Sequence, residues 1–99
     1  MLGVLVTFRY GNQFDEAQIR QVAEDAQGRF KGMPGLRSKT FTVDSAKREA
    51  VNFYVWDSVS AARAFFSPAM LDRVTGLYGV TPSVQFLEVA ALVENRPKL

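Results

Sequence analysis

The sequence predicts an α+β domain whose elements run β-α-β-β-α-β, with one four-stranded antiparallel sheet and its helices on one face. Three observations lead there. Four segments carry the alternation or the β-branched and aromatic content of strands. Two segments carry apolar residues at three- and four-residue steps, and the middle two strand patterns are joined by a short polar link.

Strand one is Leu2–Tyr10. Val4, Val6 and Phe8 share one face by the two-residue period, and Leu5, Thr7 and Arg9 take the other. Gly11-Asn12 signals a turn, and Asp15 is the expected helix N-cap, with Asn12 as a competitor. Ile19, Val22, Ala23, Ala26 and Phe30 then form one apolar stripe, opposite Arg20, Glu24, Asp25 and Gln27. Gly32-Met33-Pro34-Gly35 ends this helix.

Strand two is Leu36–Val43, with Leu36, Ser38, Thr40 and Thr42 on one face and Arg37, Lys39, Phe41 and Val43 on the other. The polar link Asp44–Arg48 is of hairpin length, so strand three, Glu49–Trp56, pairs antiparallel with strand two. Asp57 and Ser58 both suit an N-cap, and Ala61, Ala62, Ala64, Phe65 and Phe66 begin the second helical region. Pro68 breaks or restarts it, and Met70, Leu71, Val74, Leu77 and Tyr78 continue the period until Gly76 and Gly79. Thr81-Pro82 opens a last strand over Ser83–Val93, and Glu94–Leu99 is a polar tail.

This order is the ferredoxin-like, split-βαβ arrangement. Its helices cover one sheet face, yet both alternating sets of strand one are largely apolar, and Val51, Phe53 and Val55 oppose Asn52, Tyr54 and Trp56 on strand three. Two helices cannot hide that much apolar surface, so a second copy is expected to pack on the open face in a two-fold homodimer. A monomer with a tolerably apolar open face is the plainer alternative.

Composition narrows the function classes. Ninety-nine residues, 47% apolar and 22% charged, make one domain over residues 1–99. A domain of this size buries only about 60–65% of its unfolded surface, which adds to the case for a partner. There is no cysteine and no histidine, so disulfides, a cysteine nucleophile, a histidine-based triad and the commonest transition-metal and haem ligands are all missing. The carboxylates form no evident calcium or magnesium cluster. Twelve basic residues against ten acidic ones are scattered without interleaved aromatics, which argues against nucleic acid. No apolar run approaches the ~20 residues that span a bilayer. Met1–Arg9 lacks the basic start of a signal peptide, so no membrane association and a cytoplasmic location are expected.

The chemically informative cluster is Asn52, Tyr54 and Trp56 at alternate positions of strand three. An amide, a phenol and an indole on one face offer donors, an acceptor and flat surface, a set able to orient an aromatic or quinol-like molecule and to stabilise a developing oxyanion. The plainer alternative is that Tyr54 and Trp56 fill the core and Asn52 bonds nearby backbone.

The segment Met33-Pro34-Gly35-Leu36, the strand after it, and Asn52-Phe53-Tyr54-Val55-Trp56-Asp57-Ser58 followed by Ala61-Ala62 and Phe65 resemble the dimeric α/β-barrel superfamily. The similarity is nearest to its YdhR-type monooxygenases and covers most of the chain. Within the superfamily, the antibiotic biosynthesis monooxygenases oxidise phenolic polycyclic substrates with molecular oxygen and no cofactor. The resemblance implies a homodimer, a small aromatic or apolar ligand and no cofactor. It implies a pocket lined by Asn52 and Trp56, which match the family's strand-three Asn and the Trp four residues later, and these two are the expected catalytic pair. Tyr54, Phe65, Arg9 and Arg73 are the expected substrate-binding residues, the arginines for an anionic substrate. The family's further Tyr, just inside the next helix, has no counterpart, since Ala61, Ala62 and Arg63 occupy that stretch. Arg73 stands at a different spacing from the family's later basic residue. Haem-degrading relatives bind iron through a histidine that this chain lacks. A non-catalytic binder of a small apolar ligand, on the same frame, is the alternative function, and a purely structural dimer the third.

Overall fold

The computed structural model describes residues 1–95, so the expected polar tail lies, from Arg96 on, outside the described residues. The elements are β1 (Leu2–Arg9), α1 (Glu16–Phe30), β2 (Leu36–Asp44), β3 (Glu49–Trp56), α2 (Val59–Phe65), α3 (Pro68–Tyr78) and β4 (Ser83–Glu88). The sheet order is β2-β3-β1-β4 with every pair antiparallel, the ferredoxin-like arrangement that the element order predicts. A single 3-10 turn, Gly11–Gln13, lies between β1 and α1. Among the described residues no helix is long and apolar enough to cross a membrane.

Local chemistry sets the helix ends. The Asp15 carboxylate accepts from the Gln18 N–H at 3.2 Å and starts α1. Ser58 caps α2, accepting from the Ala61 N–H at 3.1 Å. Ser67 caps α3, accepting from the Met70 N–H at 3.2 Å, with Pro68 in the first turn, where its missing N–H is harmless. Pro68 therefore restarts a helix and does not kink one. Gly35 holds φ +80°, and a Cβ there would stand 2.8 Å from the Ala61 Cβ; only glycine lets this turn pass so close beneath α2.

Pairing of β1 with β3 sets Leu2 opposite Trp56, Val4 opposite Tyr54, Val6 opposite Asn52 and Phe8 opposite Ala50. All are buried beneath the helices, and all but the polar Asn52 belong to the hydrophobic core. The alternate set, Gly3, Leu5, Thr7 and Arg9 with Val51, Phe53 and Val55, faces away from the helices.

Two sequence expectations change. Simple alternation grouped Leu36 with Ser38 and Thr40. A bulge between Leu36 and Ser38 adds a residue to β2 there, so Leu36 pairs with Trp56 and shares the helix face with Lys39, Phe41 and Val43. The last strand ends at Glu88 and does not run on to Val93. Glu88 already pairs with Leu2, the first residue of β1, so nothing remains to extend the ladder. The chain crosses that end of the sheet instead: the Val89 N–H donates to the Met1 carbonyl at 3.3 Å, and Glu94 meets Arg37, on the opposite edge, at 3.4 Å.

Candidate active site

Asn52, Tyr54 and Trp56 all point toward the helices, as their register opposite Val6, Val4 and Leu2 requires. The helices treat them differently. Trp56, 2% exposed, is sealed by α2: Phe65 and Phe66 pack on its ring at centroid distances of 5.1 and 6.2 Å, and Tyr54 stacks beside it at 6.1 Å. Its indole N–H has no hydrogen-bond partner among the described residues. Toward Asn52 the helices diverge and leave a cavity of about 380 Å³ between the sheet, α1 and α3. That lies within the range of small-molecule sites, about 300–1,000 Å³.

The floor of the cavity is Asn52 and Tyr54, and its walls include Phe30, Phe65, Met70 and Val74. The Asn52 amide N–H donates to the Tyr78 hydroxyl at 3.2 Å. That leaves the second Asn52 amide N–H and the Tyr78 O–H as donors and the Asn52 carbonyl as an acceptor. The Tyr78 ring stacks on Phe8 at 4.0 Å and 8°, which fixes its direction. Burial raises the Tyr78 pKa, against smaller lowering effects of the Asn52 hydrogen bond and Arg29. Burial, with a smaller contribution from Tyr78, raises that of Tyr54 as well. Both phenols are protonated donors at neutral pH.

Three basic side chains, Arg29, Lys39 and Arg73, line the same cavity, and no carboxylate among the described residues does. Lys39 is the unusual one. Its Nζ lies 3.6 Å from the centroid of Phe30, 4.2 Å from Phe41 and 4.4 Å from Tyr54. Burial, and secondarily the charge of Arg29, pull its pKa down to about 7. A wider groove of about 550 Å³ between α1 and β2 shares Lys39, Asn52 and Tyr78 with the cavity.

Of the residues singled out from sequence, Asn52, Tyr54, Phe65 and Arg73 therefore meet at one cavity. Trp56 lies a layer behind it, supporting Tyr54 and Phe65. Arg9 is on the opposite sheet face with Leu5 and Thr7, because alternation from Phe8 puts it there. It pairs with Glu49 at 3.5 Å and donates to the Ser83 hydroxyl at 3.0 Å. Tyr78, Lys39 and Arg29 were not singled out. Tyr78 read only as a helix-period residue, yet it brings a phenol to Asn52 from α3, where the start of α2 offers none.

SnoaB, a cofactor-independent oxygenase from Streptomyces nogalater, aligns with a TM-score of 0.67 and 20% identity over 93% of this chain and 95% of its own. A monooxygenase from the ActVA-Orf6 gene of Streptomyces coelicolor, solved with nanaomycin D, aligns with a TM-score of 0.67 and 21% identity over 96% and 92%. The chain has the fold of the antibiotic biosynthesis monooxygenases. That fold is shared with proteins of unassigned activity: NE2512 from Nitrosomonas europaea, of unknown function, aligns with a TM-score of 0.73 and 12% identity over 97% and 95%. No family model matches the chain, and no curated protein matches its sequence significantly. The likeness is thus one of fold, over nearly the full length of each chain, at 12–21% identity.

Proposed function

We propose that the chain is a cofactor-independent monooxygenase acting on a small aromatic or phenolic substrate. The observation that carries this reading is the Asn52–Tyr78 hydrogen-bonded pair on the floor of a cavity with aromatic walls and a cationic lining. In such chemistry the substrate itself reduces oxygen. Its phenolate or enolate passes one electron to O2, the two radicals join at carbon, and the resulting hydroperoxide loses water to leave a new carbonyl. The protein's part is to hold the ring flat, exclude water and favour the anion. The second Asn52 amide N–H and the Tyr78 hydroxyl donate to the substrate oxyanion, Tyr54 and Phe65 set the ring plane, and Arg73, exposed at the mouth, draws in an anionic substrate.

Two chains packing open face to open face accompany this reading. Leu5, Val51 and Phe53 stand half-covered on the outer face, and Leu87 of β4 is 38% exposed. An apolar sheet face of that kind is what a two-fold partner covers.

The test is oxygen uptake by the purified protein with a panel of hydroxylated naphthalenes and anthrones, without flavin or metal. Turnover by wild type that Asn52→Ala abolishes, with the fold intact by circular dichroism, supports the enzyme. Saturable binding without oxygen uptake supports the alternative of a small-ligand binder, and equal turnover by Asn52→Ala removes the site assignment.

A further inference from the structure

We propose that the Lys39 amine takes the proton from the bound phenol or enol, so that the cavity holds its ligand as an anion beside Lys39 and Arg29. This inference rests on the reading above and deepens it. In the step, the substrate O–H bond breaks, its proton becomes the third hydrogen on the Lys39 nitrogen, and the electron pair stays on the substrate oxygen.

Geometry makes the case. Lys39 is on β2, directly opposite Tyr54 in the register, and its side chain lies on the helix face. Its Nζ sits over Phe30 of α1, Phe41 of its own strand and Tyr54 of β3, at 3.6, 4.2 and 4.4 Å from their centroids. Lysine side chains usually run out to water. This one is kept at the wall shared by the cavity and the adjoining groove, where Asn52 and Tyr78 also stand. It has no ion-pair partner among the described residues.

The charges around it favour a free amine before binding and an ammonium after. Arg29 of α1 and Arg73 of α3 share its cavity, Arg20 and Glu24 of α1 share the adjoining groove, and Lys31 and Arg37 stand at the far rim of β2. Tyr54 and Tyr78 are neutral neighbours. Burial, and secondarily the charge of Arg29, bring Lys39 to about 7, and Glu24 is the one carboxylate among the described residues in the groove that adjoins it. At neutral pH a large share of the amine is therefore free to accept a proton. Once it has done so, the three ring faces stabilise the ammonium, and the new phenolate supplies the counter-charge that the protein withholds.

The substrate class narrows accordingly. Simple phenols titrate near about 10, so proton transfer to Lys39 suits more acidic phenols and enols, or phenols whose anion the nearby guanidinium groups stabilise. A neutral hydrocarbon gains nothing from this lining.

The test is an anaerobic titration with 1-naphthol at about pH 7, where free naphthol is neutral. The long-wavelength naphtholate absorption is expected on wild type, reduced about tenfold or more on Lys39→Met. Absence of naphtholate on wild type, or equal naphtholate on both proteins, overturns the proposal. A ligand-free readout stands beside it: reductive 13C-methylation should give one dimethyl-lysine resonance that titrates close to neutrality and is missing from Lys39→Met. If every lysine titrates in the ordinary range, the proposal fails. Oxygen uptake with aromatic substrates but no anaerobic naphtholate leaves the oxygenase reading standing and removes Lys39; naphtholate without oxygen uptake does the reverse.

Discussion

The two ends of one face of β3 make an instructive pair. Asn52 and Trp56 are four residues apart, point the same way and are both almost wholly buried, at 3% and 2% exposure. Around Trp56 the space is full, because α2 follows within a few residues and drops Phe65 and Phe66 onto the indole. Around Asn52 the space is open, because α3 starts afresh at Pro68 and passes Asn52 only with its final residue, Tyr78. Position on a strand assigns a side chain to a face. The course of the helices above decides whether that side chain becomes core or site.

The sharpest way to break this comparison is to truncate each residue in turn. Trp56→Ala should lower unfolding stability by about 3–5 kcal/mol in urea titrations, the usual cost of emptying a packed aromatic position. A loss under about 1 kcal/mol would mean that the Trp56 end is as loosely filled as the other. Phe53→Asp probes the residue that alternates with both, on the outer face. It should convert the proposed dimer to a monomer in sedimentation while leaving the circular dichroism of the fold in place, and an unchanged mass would remove the two-fold packing. Asn52→Ala should cost only about 1–2 kcal/mol, the range for a hydrogen bond whose surviving partner can reach the cavity. It should nonetheless remove ligand binding, measured by calorimetry with 1-naphthol.

The smallest effect concerns Lys39. Its pKa is lower folded than unfolded, so between about 7 and the ordinary lysine value of 10.5 the unfolded chain holds a proton that the folded chain has released. Stability at this group therefore rises with pH across that window and is lowest below it. Lys39→Met should flatten the rise and stabilise the protein by about 1 kcal/mol at pH below about 7, a modest figure because the amine is partly solvated. Urea midpoints across pH read it directly. In turnover, wild-type kcat/KM should climb as pH passes about 7, and Lys39→Met should lose that limb.

How far the sequence could be read follows from the range of the forces involved. Strand alternation and caps are local, so β1, β3, the start of α1 and the restart at Pro68 were legible from Val4-Val6-Phe8, Asp15 and Pro68 themselves. Asn52, Tyr54 and Trp56 were legible as one face. Which face was not, because a one-residue slip reverses it, and only the pairing with Val6, Val4 and Leu2 decides. The bulge at Arg37 was invisible to alternation and moved Leu36 across the sheet. Lys39 read as an ordinary strand residue because Phe30, the ring nearest its amine, lies on another element. Tyr78 was hidden within a helical period for the same reason. The early end of β4 depends on where its neighbour β1 begins, which Ser83–Val93 alone does not record.

The chain holds a single tryptophan, and its indole is shut away from water with nothing among the described residues to bond its N–H. It should therefore emit at short wavelength and shift red only on unfolding, which makes it an undiluted optical gauge of the core. Its neighbour Tyr54, stacked at 12° to it, is also a surface of the cavity. An arriving guest that presses on Tyr54 should alter the lifetime of that one fluorophore, so the molecule carries its own label for occupancy, one ring removed from the guest.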